Sequence, residues 1–476
     1  MEKEGQVEQD PNQIWEMSRQ TIEEVIKNKN LSASNIECMG ITTQRASFCL
    51  WDKKSGKLYS NIITWQDKRA AQYAEEMTDK FFFKFLRSFT KIVHGITRST
   101  KMLSASMLRF PTDYASIRTS YFLKTNPEVN ELIQDPQTSI GWGTIDTWIL
   151  WNLTEGRVHA TDFSNCSATA MLDPFTLEWN TIVIDKLNIP THILPEIKDT
   201  NADFGVTKLF GNGEIPIKCI VADQQASLFG QCCFDFGNIK VTNGTGSFID
   251  LNTGNEPFAS KRRLYPLIAW RLDGEIQYML EGLSHNTGNI LDWIGDELDL
   301  FEDPKETEEM AFSVESSEGV FFLPTFTSGI SFPYWDEAKG TVFGLTLSTK
   351  KEHIVRAVLE GICFRIKDIV DGIMEDTGIS IERINADGGV SQNKFFLQAL
   401  ANILGLEVAH SKNPETTALG AAFIAGLKSG FWDTKQQITN LCVVDKIYTP
   451  QISEEEREEK YSQWKDIVRR SLQYCF

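Results

Sequence analysis

A multi-domain α/β fold is predicted by three observations. The chain runs to 476 residues, helical and strand patterns alternate along it, and several strand patterns end in turns rich in glycine or acid that lead into helices. One hydrophobic core seldom serves a chain of this length, so two domains, with a third left open, are expected. Apolar residues at 41% and charged residues at 24% are ordinary for a globular protein and argue against long disorder.

In chain order, Asp10-Pro11 reads as a helix cap followed by proline in the first turn. Ile14, Met17, Ile22, Val25 and Ile26 would form the apolar side of that helix. Strands are expected from Ile36 to Thr42 and from Ala46 to Asp52, then a Lys-Lys-Ser-Gly turn and a strand toward Trp65, all as antiparallel neighbours. The stretch from Phe81 to Phe110 is aromatic and basic, with Lys84, Arg87, Lys91, Arg98, Lys101 and Arg109 and no acid. Phe82, Phe85, Phe89, Val93 and Ile96 would share a helical face. Two readings stand for it: a weak contact with a membrane surface or partner, or a helix packed on the first domain with its cations solvated.

Further on, the apolar run Cys219-Ile220-Val221-Ala222 leads into Asp223-Gln224-Gln225, where a helix begins. A glycine-tipped hairpin follows over Lys240 to Leu251, with Asn243-Gly244-Thr245-Gly246 at its turn. A long helix is expected from His353 to Asp376, with apolar residues three and four apart. It feeds a strand from Arg383 to Ala386, a turn Asp387-Gly388-Gly389, and a helix from about Asn393 to Leu404. A final helix, acidic at Glu454 to Glu459, would dock through Trp464, Ile467, Val468 and Leu472.

Charge and composition exclude some classes of function. A formal charge of −18 disfavours a general nucleic-acid binder, leaving small substrates or proteins as partners. Nine scattered cysteines read as buried thiols in a reducing compartment rather than a disulfide framework. The N-terminus has no apolar signal region and no run is long enough to span a bilayer, so the expected location is cytoplasmic.

The richest stretch is Cys219 to Gly254. An acid at the carboxyl end of a strand, beside backbone amides unshielded by side chains, is what phosphoryl transfer needs: the acid takes a hydroxyl proton and the amides hold phosphate oxygens. Each feature has an ordinary reading by itself. Asp223 is as well placed to cap a helix, Asn243-Gly244 is a favoured hairpin turn, and Arg45 could pair with a surface carboxylate.

Eight ordered blocks change that balance: Val7-Glu-Gln-Asp-Pro11, Ile41-Thr-Thr-Gln-Arg45, Gly143-Thr-Ile-Asp-Thr-Trp148, Thr161-Asp-Phe-Ser-Asn165, Ala222-Asp-Gln-Gln225, Asn243-Gly-Thr-Gly246, Ala386-Asp-Gly-Gly389 and Ala418-Leu-Gly-Ala-Ala422. In these the chain resembles the FGGY carbohydrate kinases, in their glycerol kinase branch. The resemblance implies two actin-like ATPase (ribonuclease H-like) domains around a central cleft, a polyol-side domain over 1–232 and a nucleotide-side domain over 233–476. It implies ATP and Mg2+ as cofactors and a small polyol, glycerol, as substrate; a homo-oligomer is left open by the sequence. Carried over by position, Asp223 is the catalytic base and a magnesium contact, while Arg45, Asp223, Gln224 and Phe248 bind substrate. Gly244, Thr245, Gly288, Gly389 and Asn393 border the nucleotide.

Three departures from the family pattern bear on that reading, one of them the insertion-like stretch from Phe81 to Phe110. The family opens with a hairpin bearing Asp-x-Gly-Thr-Thr, and this chain starts at the segment that ordinarily follows it. The first domain is therefore expected to lack that hairpin and catalysis to be weakened. Glycerol-binding members also carry Arg-Glu where this chain has Arg45-Ala46, and their Tyr-Phe-Ser-Gly-Thr-Lys segment appears as Asp113-Tyr-Ala-Ser-Ile-Arg118. Asp292 stands for the usual glutamine near the nucleotide. A nucleotide-binding protein without phosphotransfer, and a kinase of another small polyol or sugar, are the alternative readings.

Overall fold

The computed structural model describes residues 5–211, 213–326 and 339–473. Asp10 caps the helix Pro11–Asn28 as expected, accepting from the amides of Asn12 at 2.8 Å and Gln13 at 3.4 Å. Ile14, Ile22 and Ile26 pack inward with Trp15. Met17 and Val25, expected on that face, are exposed, because the partly buried stripe is centred on Trp15, Ile22 and Ile26.

The early strands do not form one antiparallel set. Met39–Thr43 pairs in parallel with Ile215–Ala222, setting Ile41 against Ile220, whereas Phe48–Asp52 pairs antiparallel with Ile62–Ile63 and Ile140–Thr144. Ala46 lies between them at a φ of 57°, a left-handed conformation that ends the first strand and sends the chain into a different sheet.

The second half is built on a seven-stranded sheet. Its strands run in the order Tyr265–Leu272, Glu275–Ser284, Ser247–Gly254, Ile239–Asn243, Arg383–Asp387, Glu407–Ser411, Val444–Tyr448. The helix Lys351–Thr377 lays Val355, Ile362, Ile366, Ile369 and Ile373 on the largest core. The last helix, Glu454–Gln473, docks there too: Tyr461 Oη and Trp464 Nε1 donate to Asp368 at 2.7 and 3.1 Å. Burial, offset in part by Arg365, pushes the Asp368 carboxyl up to about 6. Leu472 remains 36% exposed and contributes less than the sequence pattern suggested.

The helix Asp223–Gly230 leaves the end of Ile215–Ala222 and packs on Thr416–Ser429. The two backbones nearly touch. A methyl group at Gly420 would lie 1.8 Å from the Ala226 carbonyl oxygen, and one at Gly230 would lie 2.0 Å from that of Thr416. This contact couples the helix that begins with Asp223 to the second half of the molecule. Nearby, Cys232 and Cys442 form a disulfide across 210 residues, which corrects the expectation of thiols only; the other described cysteines are free, and Cys475 lies outside the described residues.

Phe81–Thr97 is helical, with Phe83 and Thr90 buried and Phe82 and Leu86 packed on the first-domain core. The face that was expected to unite Phe82, Phe85, Phe89, Val93 and Ile96 is divided. Phe82 and Val93 turn toward the protein, while Phe85, Phe89 and Ile96 are exposed, because the docked side is centred on Phe83 and Leu86.

Candidate active site

Elements of both halves converge on a cavity of about 280 Å³. Arg45 enters from the turn after Met39–Thr43, and Asp223 and Gln224 enter from the start of their helix. Gly244, Thr245, Gly246 and Phe248 enter from the hairpin, and Glu281 from the neighbouring strand. Asp113 and Tyr114 close one side. Six residues expected at the site, Arg45, Asp223, Gln224, Gly244, Thr245 and Phe248, thus line one space.

Asp223 owes its position to the strand that ends at Ala222, since the first helical residue projects from the sheet edge into the cleft. Its Oδ1 accepts from the Gln224 amide at 2.8 Å and lies 3.3 Å from Arg45 Nε, and the side chain keeps 30% of its surface exposed. Burial raises its carboxyl above the ordinary value, while Arg45 pulls it back. An ionised carboxylate whose proton affinity has been raised suits proton acceptance.

Arg45 spans the two halves. Its Nη2 donates to Glu281 Oε2 at 2.6 Å while its Nε faces Asp223, and its guanidinium lies 6.0 Å from the centre of the Phe248 ring. Glu281 therefore brings a carboxyl group into the pocket, which Ala46 cannot. Burial pushes the Glu281 carboxyl up to about 8; Arg45 opposes the rise and Asp250, opposite it on the adjacent strand, adds to it. Asp250 in turn meets Lys240, directly across the next strand pair, at 2.6 Å with both side chains fully buried.

Lys240 also serves the site itself. Its ammonium donates to Gln224 Oε1 at 2.6 Å and Thr242 Oγ1 at 2.9 Å, and Thr242 donates to Asp387 Oδ1 at 2.6 Å. Ser227 donates to Asp387 Oδ2 at 3.1 Å. A buried chain of polar groups thereby joins the substrate side at Gln224 to the Asp387-Gly388-Gly389 turn.

The hairpin is held from behind. The amides of Thr287 and Gly288 donate to the carbonyls of Thr245 and Gly244 at 3.1 and 3.0 Å, and a methyl group at Gly288 would lie 2.7 Å from Gly244 O. Gly388, at a φ of 91°, abuts the Asn243 carbonyl, where a methyl group would lie 2.5 Å away. Gly288 supports the hairpin, and Gly389, beside open space, follows the Gly388 contact. Asn393 lies farther off and caps the helix Lys394–Leu404, with Oδ1 accepting from Phe396 N and Nδ2 donating to Thr307. Gly288, Gly389 and Asn393 do not line the cavity. Asp292 is exposed on the helix Gly288–Asp296.

Asp113 is held by both halves. Lys68 Nζ donates to it at 2.6 Å from the first half, and Tyr265 Oη donates at 3.3 Å from the second. Burial opposes ionisation, but Lys68 and His285 hold its carboxyl below the ordinary range. Lys240, Asp250 and Glu281 were not singled out as site residues from sequence, whereas Asp113 opens the segment that stands for the family's Tyr-Phe-Ser-Gly-Thr-Lys. The available signal was a lysine and an aspartate inside apolar strand patterns, at Ile239-Lys240-Val241 and Ile249-Asp250-Leu251, where a buried ion pair is the economical explanation.

Among the described residues no three His, Cys, Asp or Glu side chains converge as a metal cluster. Asp223 offers a single hard oxygen donor on the cavity wall, the donor set suited to a magnesium ion completed by phosphate and water.

An α/β architecture with an acid and a glycine hairpin facing one cavity between its halves is an arrangement suited to phosphoryl transfer. The models of the FGGY family of carbohydrate kinases match residues 1–230 with their N-terminal domain and 239–429 with their C-terminal domain, and the chain belongs to this family. It is 40% identical to glycerol kinase 5 of Danio rerio over 479 residues, covering 99% of this chain and 90% of that protein. It is 39% identical to glycerol kinase 2 of Thermotoga maritima over 471 residues, covering 98% and 91%. Among solved structures, Plasmodium falciparum glycerol kinase with ADP superimposes with a TM-score of 0.85 at 32% identity, over 99% of this chain and 91% of that one. Lactobacillus acidophilus gluconate kinase, at 22% identity and a TM-score of 0.83 over 100% and 92%, shares the fold.

Proposed function

We propose that the protein transfers the γ-phosphoryl group of ATP to a primary hydroxyl of glycerol, yielding glycerol 3-phosphate and ADP. The observation that carries this reading is the convergence of Asp223 and the Gly244-Thr245-Gly246 turn on one cavity, in a chain whose full-length relatives are named glycerol kinases.

Glycerol would bind against Phe248, with hydroxyls toward Arg45, Gln224 and Asp223. Asp223 accepts the hydroxyl proton as the oxygen–phosphorus bond forms, while Arg45 and Lys240 fix the carboxylate and the Gln224 amide in place. Gly244 N already donates to Gly246 O at 2.9 Å, so the amides of Thr245 and Gly246 are the ones that would meet the transferring group and stabilise its charge. Asp223 would be the residue that holds Mg2+, and the ion would neutralise phosphate charge when bound.

Coupled ADP release with and without glycerol tests the proposal. Glycerol-dependent ADP formation supports it. Nucleotide binding with no polyol dependence would instead support the reading of a nucleotide-binding protein without transfer, and turnover only with a longer polyol would reassign the substrate.

A further inference from the structure

We propose that the exposed face of the Phe81–Thr97 helix seats the first domain on an anionic lipid surface. Phe81, Phe85, Phe89, Ile92 and Ile96 are 84, 60, 54, 66 and 80% exposed. At helical periodicity the five fall within an arc of about 80°. The rings stack along the helix, Phe81 on Phe85 at 6.3 Å and Phe85 on Phe89 at 6.1 Å. The opposite side is already used, since Phe83 and Thr90 are buried and Leu86 packs on the core. The helix thus has one docked apolar side and a second apolar side facing outward. Five large apolar side chains in one stripe form a contiguous patch, and patches of this kind mark an interaction surface.

Charge selects the occupant. From Phe81 to Phe110 there are six Lys and Arg residues and no acid, in a chain whose net charge is −18. Lys84 meets Asp79 at 3.3 Å with both side chains more than half exposed, and Lys101 meets Asp173 at 3.1 Å. Arg87 donates to the backbone carbonyls of Thr78 and Leu108, and Lys91, Arg98 and Arg109 lie at the exposed surface. A second copy docked through the same stripe about a two-fold axis would set these cations against their own equivalents. An anionic bilayer accepts both features: the stripe enters the headgroup boundary and the cations meet lipid charge. The mode is attachment rather than spanning, since no helix among the described residues is long and apolar enough to cross a membrane.

The test is flotation of the full chain with vesicles of phosphatidylcholine alone or with about 30% phosphatidylserine, at about 50 mM and about 500 mM salt. Binding is expected only with phosphatidylserine, and weakened roughly tenfold or more at the higher salt. The exposed-surface variants Phe85→Ser/Phe89→Ser and Lys84→Glu/Lys91→Glu are each expected to lose flotation while keeping melting temperature and glycerol-dependent ADP formation. Wild-type protein that ignores anionic vesicles at low salt would overturn the proposal, as would variants that float like wild type. A dimer in sedimentation without lipid, abolished by Phe85→Ser/Phe89→Ser, would give the face to a second copy and overturn it equally.

Discussion

Arg118 donates through Nη2 to the carbonyl oxygen of Ala46 at 2.6 Å, at the left-handed turn from which Arg45 enters the cleft. The same buried guanidinium donates to the carbonyls of Thr112, Ile63, Thr64 and Asp113. Three loops around the site are thus tied to one side chain, whose pKa burial lowers to about 10. Removing it leaves buried carbonyls unsatisfied. Arg118→Met is expected to cost about 3 kcal/mol or more in urea unfolding and to raise the KM for polyol. Arg118→Lys should recover only part of this, because one ammonium cannot serve all these acceptors.

Glu281 sets a pH dependence. Its carboxyl titrates at about 8 in the folded chain against an ordinary 4.5, so the folded state holds a proton that the unfolded state has lost between those values. Stability should therefore fall as pH rises from about 4.5 to about 8, then level off. Thermal melts of wild type and Glu281→Gln check this: the variant is expected to lose this part of the decline, and a difference independent of pH would contradict it.

Lys240 and Asp250 form a fully buried pair, so one partner alone should be worse than neither. Lys240→Met is expected to destabilise by about 3–5 kcal/mol, and Lys240→Met/Asp250→Leu to regain most of that loss. Chemical denaturation of the two variants measures the difference. Turnover should stay low in both, since Gln224 loses its donor.

Much of the fold was legible because local signals and burial agreed. Asp10-Pro11, the Lys351–Thr377 helix and the hairpin at Gly244 each carry a cap, a period or a turn that only one local structure satisfies well. The pairing of Met39–Thr43 with Ile215–Ala222 was not legible, because partners so far apart in sequence leave no local trace and the break at Ala46 depends on a φ that alanine seldom adopts. Likewise Arg45, Asp223 and Gln224 could be proposed from motif, whereas the Glu281 carboxyl comes to the pocket only through tertiary pairing. The Cys232–Cys442 link is non-local in the same sense.

Gly420 is a packing constraint on catalysis. A methyl group there collides with the Ala226 backbone, which cannot yield without shifting the helix that begins at Asp223. Gly420→Ala is expected to lower stability by about 1–3 kcal/mol and to reduce kcat by more than the fraction unfolded explains. Parallel melts and kinetics separate the two effects.

The central claim is that Asp223 acts as the base toward a hydroxyl held in the interdomain cavity. Asp223→Asn keeps the shape, and Arg45 retains Glu281 as partner. The most direct measurement is glycerol-dependent ADP formation by this variant, alongside ATP binding and melting temperature. Turnover is predicted to fall at least about 10²-fold, with binding and melting near those of wild type. An Asp223→Asn protein with undiminished turnover would contradict the account.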